Sequence, residues 1–80
     1  MATYPTIMRK NSDLVSLGKQ IRSLREAKGF SQENFANSID MNRGYYGTIE
    51  RGAANPTALN LIRIAKGLKV SVGEIFPSRK

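Results

Sequence analysis

The sequence predicts an all-α protein, a compact bundle of five short helices around one small core. Three observations carry that prediction. Apolar residues recur at three- and four-residue intervals in several short stretches. Residues that cap helices (Asp, Ser, Asn, Thr) precede these stretches, and Gly or Pro follows them. No credible pair of strands, internal repeat or low-complexity run lies between them. A chain of 80 residues has room for one core, so a single domain is expected.

The elements follow in order. Residues 1–12 contain Pro5 and no periodicity, and read as a flexible N-terminal arm. The folded domain is expected over 13–77. Its first helix is capped by Asp13, carries Leu14, Leu17, Ile21 and Leu24 on one face, and stops at Gly29. Gly18 inside that helix costs about 1 kcal/mol relative to Ala, which close packing would explain. Ser31 caps a second helix of about two turns, with Phe35, Ala36 and Ile39 inward and Asp40 as the turn residue. Asn42 caps a third, with Tyr46 and Ile49 on its inner face and Gly52 at its end. Thr57 caps a fourth, with Ala58, Leu61, Ile62, Ala65 and Leu68 inward, and Ser71 opens a last short helix closed by Pro77. Residues 78–80 form a basic C-terminal tail.

Composition narrows the function. The absence of cysteine and histidine removes disulfides, thiolate chemistry and the commonest general base and metal ligand. With six scattered carboxylates and no glycine-rich phosphate loop, an enzyme is not expected, nor is any cofactor or metal. No apolar run approaches the ~18 residues that span a bilayer, and no secretory signal opens the chain, so a cytoplasmic protein without membrane contact is expected. Thirteen Lys and Arg against six Asp and Glu give +7, a field that draws a polyanion. Arg9, Lys10, Arg79 and Lys80 hold four of those charges at the ends, leaving +3 for the remainder.

The most informative feature is the junction between the second and third helices, only about three residues long at Asp40, Met41 and Asn42. So short a joint forces a steep crossing, which needs a small residue (Ala36), a turn-compatible residue four later (Asp40) and an apolar anchor (Ile49). These spacings agree with a helix-turn-helix. Leu17 to Gly52, LGKQIRSLREAKGFSQENFANSIDMNRGYYGTIERG, resembles the Cro and phage-repressor (XRE-like) type of that motif. The runs LGKQIRSLR, SQENFA and RGYYGTIERG through NPTALNLIRIA are most similar to controller proteins of restriction-modification systems. The likeness covers residues 14–76. It departs from the family's usual pattern at Asp40, where Gly is customary, and at Tyr46, where Ile or Val is. Tyr46 implies a reshaped pocket or a hydroxyl reaching the surface.

The resemblance implies that the third helix enters the DNA major groove, and its residues suit the task. At 100° per residue the face opposite Tyr46 and Ile49 holds Gly44, Gly47, Thr48 and Arg51, flanked by Arg43 and Tyr45. Two glycines there weaken the helix, which makes sense where backbone must approach a surface closely. Arg43 is the candidate for direct base readout, because a guanidinium donates two bonds to guanine O6 and N7. Asn42, Gly44, Tyr45 and Thr48 are the other base-contact candidates. Gln32 stands where the family meets a phosphate, and Asn37, Gly47, Arg51 and Asn55 are further backbone contacts. The family also pairs an arginine of the first helix with a glutamate ending the third, here Arg25 and Glu50, in a structural role.

One such module spans only a few base pairs, so a homodimer on a roughly palindromic operator is expected. Leu59, Ile62, Val72, Ile75 and Phe76 exceed the needs of a small core and are the candidate dimer contact. The expectation is a prokaryotic regulator, nucleoid-associated when bound, that represses, activates or does both by changing RNA polymerase access. The alternative on the same fold is a protein-interaction or adaptor module without specific DNA binding.

Overall fold

The computed structural model describes residues 11–77. Of the arm expected over 1–12, residues 1–10 lie outside them, as does the tail at 78–80. Four α-helices, α1 (Ser12–Ala27), α2 (Gln32–Ser38), α3 (Arg43–Glu50) and α4 (Ala58–Leu68), are followed by a 3-10 turn at Val72–Ile75. The fifth expected helix is thus a single tighter turn.

Local chemistry sets the helix starts. Ser31, Asn42 and Thr57 each accept the backbone N–H three residues on, at 3.0, 2.9 and 3.1 Å, supplying a partner for a group the helix itself leaves unbonded. For α1 the cap is Asn11 rather than Asp13. The Asn11 Oδ1 accepts from the N–H groups of Asp13 and Leu14, which moves Asp13 into the first turn, where its charge faces the positive helix pole. α1 therefore starts at Ser12, one residue ahead of the expected cap.

All four helices end alike, in a Schellman arrangement with one residue in the left-handed region. After α2, Met41 N–H donates to Ala36 O at 2.9 Å and Asp40 N–H to Asn37 O at 3.1 Å. The same pair of bonds closes α1 around Gly29, α3 around Gly52 and α4 around Lys69. Asp40 and Lys69 occupy that region without being glycine, at φ 58° and 61°. Gly67 lies within the last turn of α4. It is a packing seat, since a Cβ there would run into Ile39 and the Phe35 ring.

The core consists of Leu17 and Ile21 of α1, Phe35, Ala36, Ile39 and Met41 around α2, Tyr46 and Ile49 of α3, Ile64, Ala65 and Leu68 of α4, and Ile75. Phe35 is its centre, with its ring 5.3 Å from both Phe30 and Tyr46. The inner face of α4 differs from the expected one: Ile64 is fully buried, while Ala58 and Ile62 are exposed. The reason is helical spacing: Leu61, Ile64, Ala65 and Leu68 share one face at i, i+3, i+4, i+7, which seats Gly67 against Phe35 and turns 62 outward.

Two glycines fix where α1 meets α3. A Cβ at Gly18 would strike the carbonyl oxygens of Ile49 and Glu50. One at Gly52, which has φ +75°, would lie 2.6 Å from the Val15 Cα. The helix-weakening Gly18 therefore allows a backbone-to-backbone approach that no other residue permits.

Candidate nucleic-acid interface

The third helix is held from beneath by one carboxylate. Glu50 sits at the end of α3 with its side chain only 2% exposed, facing an Arg25 side chain that is 8% exposed. Arg25 Nε donates to Glu50 Oε2 at 2.7 Å and Nη2 to Oε1 at 3.1 Å, while Nη1 donates to the Phe30 carbonyl at 2.7 Å. Gln32 Nε2 donates to Oε1 at 2.9 Å, and the Tyr46 hydroxyl donates to Oε2. No buried side-chain nitrogen or oxygen among the described residues lacks a partner. Since a buried ion pair is stable only when its remaining sites are bonded, this completeness is what allows it. The network ties α1, α2 and α3 at one point.

The electrostatics follow. Burial opposes the Glu50 charge, but the bonds from Arg25, Gln32 and Tyr46 outweigh it and hold the carboxyl below the usual range. The Arg25 guanidinium is raised, chiefly by its hydrogen bond to Glu50. The Tyr46 phenol is pushed up, first by burial and second by its bond to Glu50, so it stays a donor. Of the two alternatives for Tyr46, the surface one falls: the hydroxyl ends on an internal carboxylate, and the ring is fully buried. The Tyr46 and Glu50 side chains share one face by their i, i+4 spacing, a signal that could have revealed the bond.

Above this anchor α3 presents a regular helix from Arg43 to Glu50. Asn42, Arg43, Gly44 and Arg51 are exposed, and Tyr45 and Thr48 are half-buried. Neither Arg43 nor Arg51 has a carboxylate partner among the described residues. Asn42 Oδ1 is committed to the cap on Tyr45 N–H, and Thr48 Oγ1 donates back to Tyr45 O at 2.6 Å. That leaves the Asn42 amide nitrogen as a donor and the Thr48 hydroxyl oxygen as an acceptor. The Tyr45 hydroxyl accepts from Asn60 Nδ2 at 3.2 Å, a contact from α4 that no sequence pattern announces.

Among the phosphate candidates, Asn37 and Asn55 are exposed and Gln32 half-buried. Gly47 is different. It is buried, and a Cβ there would come 3.2 Å from Arg51 Nη1 and 3.6 Å from Gln32 Oε1. The missing side chain lets Gln32 and Arg51 converge over the helix, so Gly47 acts as a floor beneath those two rather than as an open contact. Of the five apolar candidates for a dimer surface, Leu59 (66% exposed), Ile62, Val72 and Phe76 are on the outside. Ile75 is fully buried and is withdrawn from that surface, because the 3-10 turn points it into the core. Among the described residues no acidic group gathers into a metal-binding cluster, and no helix is long and apolar enough to cross a membrane.

A two-helix unit joined by the four residues 39–42, with its second helix bared outward and flanked by exposed arginines, defines a helix-turn-helix protein. The helix-turn-helix family model matches residues 21–75. The chain belongs to that family, in its Cro and phage-repressor branch, and is a DNA-binding transcriptional regulator. It is 39% identical over 67 residues to control protein C.MunI of Mycoplasma sp, covering 82% of this chain and 90% of that one. It is 36% identical over 67 residues to control protein C.BamHI of Bacillus amyloliquefaciens, covering 82% and 83%. The crystal structure of the restriction-modification controller protein C.AhdI from Aeromonas hydrophila matches with a TM-score of 0.81 at 39% identity, over 82% of this chain and 100% of that one.

Proposed function

We propose that two copies of this chain bind a roughly palindromic operator, each placing α3 in the major groove, and that occupancy changes RNA polymerase access to a nearby promoter. The observation that carries the reading is the outer face of α3. There Arg43 and Arg51 are exposed, without carboxylate partners among the described residues, on a helix clamped from below by Glu50. Arg43, at the amino end of α3, reads bases through paired bonds to a guanine edge, with Asn42, Gly44, Tyr45 and Thr48 shaping the neighbouring contacts. Gln32, Asn37, Arg51 and Asn55 hold the phosphates and set orientation. The copies meet through Leu59, Ile62, Val72 and Phe76, which puts two recognition helices on half-sites about 34 Å apart. The similarity to control proteins favours a role in governing a restriction-modification system.

In vitro selection from random duplex DNA tests the whole reading. The expected product is a symmetric motif whose halves are one helical turn apart, with a guanine position that loses its preference in Arg43→Ala. An unaltered motif from that variant removes Arg43 from base readout. A monomer at tens of micromolar by sedimentation removes the dimer.

A further inference from the structure

The phenol of Tyr45 can donate one proton and accept through its oxygen. In this fold the accepting side is taken: Asn60 Nδ2 donates to it at 3.2 Å. Asn60 is the third residue of α4 and is held there by the Thr57 cap, whose Oγ1 accepts the Asn60 N–H at 3.1 Å. The Tyr45 ring is half-buried against the core, so the hydroxyl is positioned by two helices at once. Its proton has no acceptor among the described residues.

We propose that Asn60 is a positioning residue that fixes the hydrogen-bond polarity of Tyr45, so that the phenol faces DNA as a donor. This rests on the DNA-binding reading above and adds a selectivity to it. A donor seeks an acceptor, either a phosphate oxygen or a base edge. In the major groove guanine, adenine and thymine all offer an acceptor, whereas cytosine offers only its N4 donor. A base contact through Tyr45 therefore rejects cytosine at one position of each half-site, and a phosphate contact strengthens binding without altering the motif.

Asn60→Asp tests the polarity. Asp is of the same shape but only accepts, so it captures the Tyr45 proton and leaves lone pairs outward. A carboxylate in the first turn of α4 favours the helix, so the fold is kept. Full-length wild type, Asn60→Asp, Tyr45→Phe and the double variant are compared by selection from random duplex DNA and by affinity for the duplex that wild type selects. For a base contact, wild type excludes cytosine at one position per half-site, and both single variants admit it. For a phosphate contact, the motif stays, each single variant weakens binding by about three- to tenfold, and Asn60→Asp weakens it by that further factor only where Tyr45 is present. An Asn60→Asp effect of equal size in wild type and in the Tyr45→Phe variant, with the motif unchanged, reports added negative charge alone and overturns the proposal. Tyr45→Phe indistinguishable from wild type overturns it too. A wild type that enriches no motif instead defeats the operator-binding reading on which it rests.

Discussion

Replacing Arg25 by Met isolates the buried ion pair. The variant keeps a side chain of similar length in the α1 face but leaves Glu50, 2% exposed, with only Gln32 and Tyr46 as donors. It also frees the Phe30 carbonyl that Arg25 Nη1 bonds at 2.7 Å. Removing one partner of a buried pair costs about 3–5 kcal/mol. An 80-residue chain at roughly 0.05–0.15 kcal/mol per residue has about 4–12 kcal/mol in total, so Arg25→Met sits close to unfolding at pH 7. The pH dependence gives the sharper check. In wild type the Glu50 carboxyl is held below its usual range, so its contribution is present above the unfolded value of about 4.3 and is lost as pH falls through the lower folded value. In the variant, burial acts without the guanidinium and raises that carboxyl. Folding then takes up a proton, and the variant recovers stability as pH falls from 7 toward 4.5. Urea unfolding followed by far-UV circular dichroism at both pH values reads this directly. A loss below about 1 kcal/mol at pH 7, or a loss that does not shrink at pH 4.5, refutes the claim that Glu50 depends on this partner.

Three further outcomes are expected. Tyr46→Phe retains the ring packing on Phe35 but deletes a bond to a charged acceptor, lowering stability by about 1.5–3 kcal/mol in urea unfolding at pH 7. Because the Tyr46 phenol is pushed up, wild type also loses stability as pH rises above about 10, where the unfolded phenol ionises, and Tyr46→Phe does not share that part of the alkaline loss. Gly18→Ala, a change that ordinarily stabilises a helix by about 1 kcal/mol, instead destabilises by about 1–3 kcal/mol, because the new methyl meets the carbonyls of Ile49 and Glu50. A higher melting temperature for that variant contradicts the close approach of α1 to α3. Arg51→Ala weakens DNA binding evenly across sequences and reduces the slope of log affinity against log salt by about 1, with the selected motif intact.

The origin of these effects separates into what a chain carries locally and what it acquires by packing. Caps and stops are local: Ser31, Asn42 and Thr57 were legible because each bonds a backbone group three residues away, and the two glycines at helix ends because their φ is positive. The wrong cap on α1 shows the limit of that reading. Asn11 and Asp13 are both competent, and the choice depends on which N–H groups the rest of α1 leaves free. Helix phase is less legible. Ile62 and Ile64 are equally apolar, but Ile64 shares the i, i+3, i+4, i+7 face of Leu61, Ala65 and Leu68, and the seat of Gly67 on Phe35 holds α4 in that phase.

By itself the sequence determined the class of fold, the position of the helix-turn-helix and the outward arginines of α3. Those depend on periodicities and spacings within a few residues of one another. Only the tertiary structure decided that Gln32 joins Arg25 on the Glu50 carboxylate, that Gly47 is covered by its neighbours and that Ile75 belongs to the core. Each of those outcomes is set by groups brought together from different helices, or by the direction in which a buried side chain must find a partner. A hydrogen bond or a close contact acts over a few ångströms in space, whatever the separation along the chain.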